Sequence, residues 1–114
     1  MTGWDIPTRN EGYHPQMPAY LVVDARRTDL EQAARYSALS GPSVERHGGH
    51  YLARGGETFV LEGDWDPDRL VVIEFATVEA AIAWYESDDY TAIRALRADA
   101  GEWRMVIIRG VDGD

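Results

Sequence analysis

Two carboxylates stand where strand-like apolar runs do not call for them: Asp24 in Tyr20–Ala25 (YLVVDA) and Glu74 in Leu70–Phe75 (LVVIEF). A carboxylate among apolar neighbours is costly unless it is paired or used. Such a group can serve as a general acid or base near neutral pH. The alternative is a polar lock with an arginine, tryptophan or tyrosine partner. His50 follows Gly48-Gly49 at the head of another short apolar run and is the imidazole best placed to join the two acids. Arg54 and Arg69 can orient an anionic group or pair with nearby Glu62 and Asp64. Asp24, Glu74 and His50 are therefore the candidate catalytic groups.

Other constellations are weaker. Asp64, Asp66 and Asp68 alternate as at the start of a calcium loop. That pattern then needs glycine where Arg69 stands and glutamate where Phe75 stands, so a solvated acidic turn is expected. His14, His47 and His50 lack the helical spacing of paired metal ligands, and no metal is expected. His50 is the only plausible heme ligand in the body of the chain, and no cofactor is expected. There is no nucleophile elbow, dinucleotide fingerprint or P-loop.

Composition narrows the classes further. The chain has 114 residues, one domain's worth, with 20 acidic against 11 basic residues and a net charge of −9. Nucleic acid and anionic membranes are poor partners for such a surface. The absence of cysteine and lysine excludes disulfides, thiolate chemistry and Schiff bases. No membrane span or signal segment is visible, and a cytoplasmic location is expected.

These residues need elements to hold them. Residues 1–17 show no apolar period and read as a flexible extension, with Trp4, Ile6 and Tyr13 as possible anchors; residues 18–114 read as one domain. Ala19–Arg26 is a strand. Thr28 to Glu31 fits a capping box for a helix to about Leu39. Ser40-Gly41-Pro42 interrupts it before a short second piece, and His47-Gly48-Gly49 is a stop. His50–Arg54 and Thr58–Glu62 are strand signals around Gly55-Gly56. Arg69–Phe75 is a strong strand. Thr77 caps a helix to about Glu86, Ser87 opens a further helical piece, and Trp103–Val111 is the last strand. On the second helix Tyr85 continues the apolar stripe, whereas Trp84 is offset.

The order is the split β-α-β plan of a ferredoxin-like α+β fold, an antiparallel sheet with two helices on one face and strand order 4-1-3-2. Two helices cover one face only, yet each main strand carries two apolar sets. A second copy of the chain is the economical cover for the other face, giving a homodimer around a barrel-like space. Asp24, Glu74 and Arg109 are assigned to that second face, together with Trp103, Met105 and Ile107. With the first and third strands taken as parallel, both acids fall at one mouth of the barrel near His50 or Tyr51. Apolar walls with a few converging polar groups describe a small-molecule site.

The blocks YLVVDAR, ERHGGHYLARGG, VLEGDW, RLVVIEF, AIAWYESDDY and ALR, in this order, resemble the DUF1330 family of the dimeric α+β barrel superfamily. The resemblance spans Pro18 to Val111. It implies the same fold and face-to-face dimer but no reaction, because the family lacks an assigned activity. It adds Tyr36, Trp65, Trp84 and Tyr90 to Arg54, Arg69 and Trp103 as expected substrate-binding positions. The superfamily contains cofactor-free monooxygenases, isomerases and heme-handling enzymes, and fold alone does not choose among them. The expected function is binding of a small apolar or aromatic metabolite, with cofactor-independent acid–base turnover by Asp24, Glu74 and His50. The alternative is a non-catalytic metabolite-binding or structural dimer.

Overall fold

A computed structural model describes residues 17–111. The anchors considered in the leader, Trp4, Ile6 and Tyr13, lie outside the described residues, as does His14. The β-rich run after Pro18 forms strand β1 (Ala19–Arg27). Helix α1 (Leu30–Arg46) follows, capped by Asp29, whose carboxylate accepts the Gln32 N–H at 3.0 Å. Asp29 takes the cap expected of Thr28, whose N–H is committed to the Ala100 carbonyl at 2.8 Å. The expected break at Ser40-Gly41-Pro42 does not occur. Pro42 removes one helical N–H, but Ser40, Gly41, Ser43 and Val44 are buried on the inner face of α1, and that packing carries the helix through.

His47 and Gly48, at φ 85°, end α1 and turn the chain into strand β2 (His50–Arg54). Strand β3 (Arg69–Phe75) pairs with it across a long connection. The strand expected at Thr58–Glu62 is absent: residues 57–66 are exposed and outside any strand. Gly55 donates to the Leu70 carbonyl at 2.8 Å and ends the β2–β3 ladder there, so the connection leaves the sheet. Thr77 caps helix α2 (Val78–Glu86) and Ser87 caps α3 (Asp88–Arg94), each side chain accepting an N–H three residues on. A single 3₁₀ turn, Ala95–Arg97, leads to strand β4 (Gly101–Arg109).

The sheet order is β2-β3-β1-β4, as expected, and every pairing is antiparallel. The parallel pairing assumed for the first and third strands is therefore corrected. The crossover through α1 makes β1 and β2 parallel with β3 between them, and β3 must oppose both. The core lies between sheet and helices: Leu21 and Val23 from β1, Val71, Ile73 and Phe75 from β3, then Val44, Trp84, Tyr90 and Ile93. Gly49 permits this closeness, since a Cβ there would lie 2.8 Å from both Phe75 and Val44.

The β4 register corrects a second expectation. Trp103, Met105 and Ile107 oppose Ala25, Val23 and Leu21, and directly opposed residues share a face, so all three look toward the helices. Val106 and Ile108 take the other face, opposite Val22 and Tyr20. Arg109 opposes Ala19 and is exposed at the strand end. Among the described residues no helix is long and apolar enough to cross a membrane.

Candidate functional site

Between the sheet and α1 the helix-side residues leave a chamber of about 30 Å³, room for a water-sized group. Its walls are largely apolar and aromatic: Val23, Val71, Trp84, Trp103 and Met105 close it, and Tyr36 reaches in from α1. Tyr36 is held from several directions. Its hydroxyl shares a hydrogen bond with the Tyr90 hydroxyl at 2.5 Å, and its ring meets Trp103 edge-on at 5.7 Å between centroids. Arg97 lies over Trp103 at 4.9 Å and over Tyr36 at 5.2 Å, and donates to Tyr90 Oη at 3.3 Å. Burial pushes the Tyr36 phenol far above its ordinary pKa, and nearby Tyr90 adds to the shift. Tyr36 thus stays protonated and acts as a hydrogen-bonding group.

The chamber opens past Arg27, Ser37, Arg54 and Arg69, which also border an open groove of about 340 Å³ along α1. Leu30, Ala33, Ala34, Ala38 and Pro42 line the rest of that groove. The three arginines are not equivalent. Arg27 is clamped by Asp68, donating from Nε at 2.8 Å, from Nη2 at 3.1 Å and from its backbone N–H at 2.9 Å. These bonds hold the Asp68 carboxyl well below the usual carboxylate range. Arg54 donates to the Ser37 carbonyl at 2.8 Å and lies over the Tyr51 ring at 4.3 Å. Arg69 is half-buried between the other two. Burial first, then repulsion from Arg27 and Arg54, lower its pKa.

Of the expected substrate-binding residues, Tyr36, Arg54, Arg69, Trp84 and Trp103 meet at this chamber, and Tyr90 stands directly behind Tyr36. Trp65 does not join them; it is exposed in the β2–β3 connection. Trp84 is the buried aromatic of α2, stacked on Tyr90 at 4.0 Å between centroids, while Tyr85 is half-buried beside Arg94. That reverses the assignment read from the helical stripe, because Ala81 and Trp84 mark the inward face. Glu62 and Asp64 were the expected ion-pair partners for Arg54 and Arg69. The acid that does pair is Asp68, and it takes Arg27. Arg27 is not among the expected site residues, although its parity with Val23 and Ala25 marks it as a helix-side residue at the end of β1.

The expected catalytic trio does not converge. Asp24 opposes Leu70 and Arg104, and its carboxylate accepts from Arg104 Nη2 at 2.5 Å. Glu74 opposes Tyr20 and His50. The four-residue offset along β1 separates the two acids by roughly 13 Å at strand rise. They sit toward opposite ends of the sheet's outer face, away from the chamber; the antiparallel register is the reason. The juxtaposition of His50 with Glu74 is present. His47 places Nδ1 2.9 Å from the Ser43 carbonyl at the end of α1. Among the described residues no cluster of three or more His, Asp or Glu side chains could hold a metal.

The sheet, its helices on one face and the chamber between them define a ferredoxin-like α+β protein. The chain belongs to the DUF1330 family, described as a domain of unknown function, whose model matches residues 18–111. None of the curated proteins compared matches the chain. Among solved structures it is similar to a protein of unknown function from Rhodopseudomonas palustris, with 24% identity, 84% of each chain covered and a TM-score of 0.70. It is similar to a dimeric ferredoxin-like protein of unknown function from Thermobifida fusca, with 20% identity, 90% of this chain and 99% of the other covered, and a TM-score of 0.60. It is also similar to SnoaB, a cofactor-independent oxygenase from Streptomyces nogalater, with 10% identity, coverage of 81% and 91%, and a TM-score of 0.55. At these identities the likeness concerns the fold.

Proposed function

We propose that this protein works as a homodimer joined through the outer face of the sheet. Each protomer binds a small apolar or aromatic metabolite at the chamber and the groove it opens onto. The observation that carries the binding reading is the open groove of about 340 Å³ along α1 into which the aromatic chamber leads past Arg27, Arg54 and Arg69. The dimer reading rests on the outer face, where Val106 and Ile108 are 62% and 59% exposed beside Val22 and Val72. The dimeric Thermobifida fusca neighbour supports it.

A second reading is turnover: cofactor-independent acid–base chemistry by Glu74 and His50 in the space between two facing sheets, with Asp24 about 13 Å away and paired to Arg104. The direct opposition of His50 and Glu74 favours it. The chamber favours binding over turnover, because among the described residues its lining contains no carboxylate and no imidazole. Titration of the full chain with apolar and aromatic metabolites, followed by tryptophan fluorescence, tests the binding reading. Saturable quenching that Trp103→Phe weakens is the expected result. Quenching unaffected by Trp103→Phe and by Tyr36→Ala would remove the chamber from the account.

A further inference from the structure

Among the described residues Arg69 takes part in no ion pair, whereas Arg27 beside it is neutralised by Asp68. Its guanidinium donates no hydrogen bond to a described residue. Partial burial of a guanidinium without an ion-pair partner carries a cost, yet the local backbone makes room for this one on the wall of the open groove. Gly55 has φ 71°, and a Cβ there would lie 2.2 Å from Arg69 Nη1. Gly41 does the same for Arg54, with a Cβ 3.0 Å from Nη1. Arg54 is exposed and hydrogen-bonded to the Ser37 carbonyl, so Arg69 is the half-buried guanidinium at the mouth of the chamber that is left unpaired among the described residues.

We propose that Arg69 anchors a carboxylate, so that the bound molecule is a monocarboxylic acid whose apolar part lies in the groove along α1. This rests on reading the chamber and groove as the binding site. A planar carboxylate matches the guanidinium fork in a two-point bond. A single guanidinium with no ion-pair contact favours a monoanion. A dianion would bring a second negative charge toward Asp68 in a protein already at −9. Ala33, Ala34, Ala38 and Pro42 offer the tail a smooth apolar wall.

The test compares phenylacetate with its neutral isostere phenylacetamide, using the full-length wild type and Arg69→Gln. The acid is expected to bind wild type at least about tenfold more tightly than the amide. Arg69→Gln is expected to erase that preference, lowering the affinity of the acid at least about tenfold more than that of the amide. Equal binding of acid and amide to wild type overturns the anchor but leaves the chamber standing. Binding of neither overturns the chamber reading, and a second measurement then judges Arg69 by itself. In an NMR titration at constant ionic strength, acetate is expected to shift the Arg69 Nε–Hε signal saturably. An equal shift with chloride, or a larger one with inorganic phosphate, overturns the carboxylate assignment. Both wild-type measurements decide the question should Arg69→Gln fail to fold.

Discussion

Ser43 is the buried hub between α1 and the helices opposite it, and replacing it with alanine has a calculable cost. The residue is 0% exposed, its Oγ donates to Asp89 at 2.6 Å, and it accepts from Trp84 Nε1 at 3.2 Å. Ser43→Ala leaves the indole N–H of Trp84, itself 2% exposed, with no partner in a dry site. An orphaned buried donor costs about 1–3 kcal/mol. Asp89 keeps Arg46 at 2.7 Å and partial solvent contact, so its loss is the smaller one. At about 4–8 °C per kcal/mol for a domain near this size, the melting temperature falls by roughly 4–24 °C. Thermal and urea unfolding followed by circular dichroism, at one fixed protein concentration, measure this. A double-mutant cycle with Trp84→Phe isolates the bond, with an expected coupling of about 1 kcal/mol. A loss below about 0.5 kcal/mol, within the range of an ordinary surface substitution, or strict additivity in the cycle, would refute the reasoning.

Adjacent residues on β4 offer a second test. Val106→Glu should give a folded monomer by sedimentation, because its side chain looks out from the sheet, whereas Ile107→Glu should unfold the chain by placing a charge in the core. A chain beginning at Met17 should keep its melting temperature within a few degrees, since among the described residues Leu21 to Ile107 already build a continuous core; a large loss would show that the leader contributes to the fold. Asp68→Asn probes linkage. The folded-state pKa of Asp68 is depressed by hydrogen bonds from Arg27, so its stabilising contribution is complete above the unfolded value of about 4 and is lost as pH falls below it. The urea midpoint of Asp68→Asn should lie below that of wild type at neutral pH, and the two should converge in acid; a constant difference across the range would contradict the ion pair.

The local features of this fold are legible residue by residue. The run RLVVIEF delimits β3 as found, Thr77 and Ser87 cap the helices they precede, and His47-Gly48-Gly49 stops α1. Each depends on interactions within a few residues, and the sequence itself contains both partners. The ferredoxin-like order also follows from the alternation of elements, since few topologies accommodate it. The doubly apolar strands likewise mark a face that the helices leave uncovered. Glycine and proline at 41 and 42 suggest a break that does not occur, because the burial that overrides propensity comes from a distant sheet.

What only the tertiary structure decides is which residues meet. A strand's two faces are equivalent until its neighbour's register is known, and one residue of slip exchanges them. Trp103, Met105 and Ile107 therefore could not be assigned to the helix side from alternation alone. The ends at which Asp24 and Glu74 lie depend on whether β3 runs with or against β1, a property of the crossover through α1. The mouth of the chamber gathers Arg27, Arg54 and Arg69 from three strands, and its glycine cradles become visible only once backbone and guanidinium share one place. The residue types that could hold a ligand are written along the chain; their convergence arises from long-range pairing, to which no short segment is sensitive.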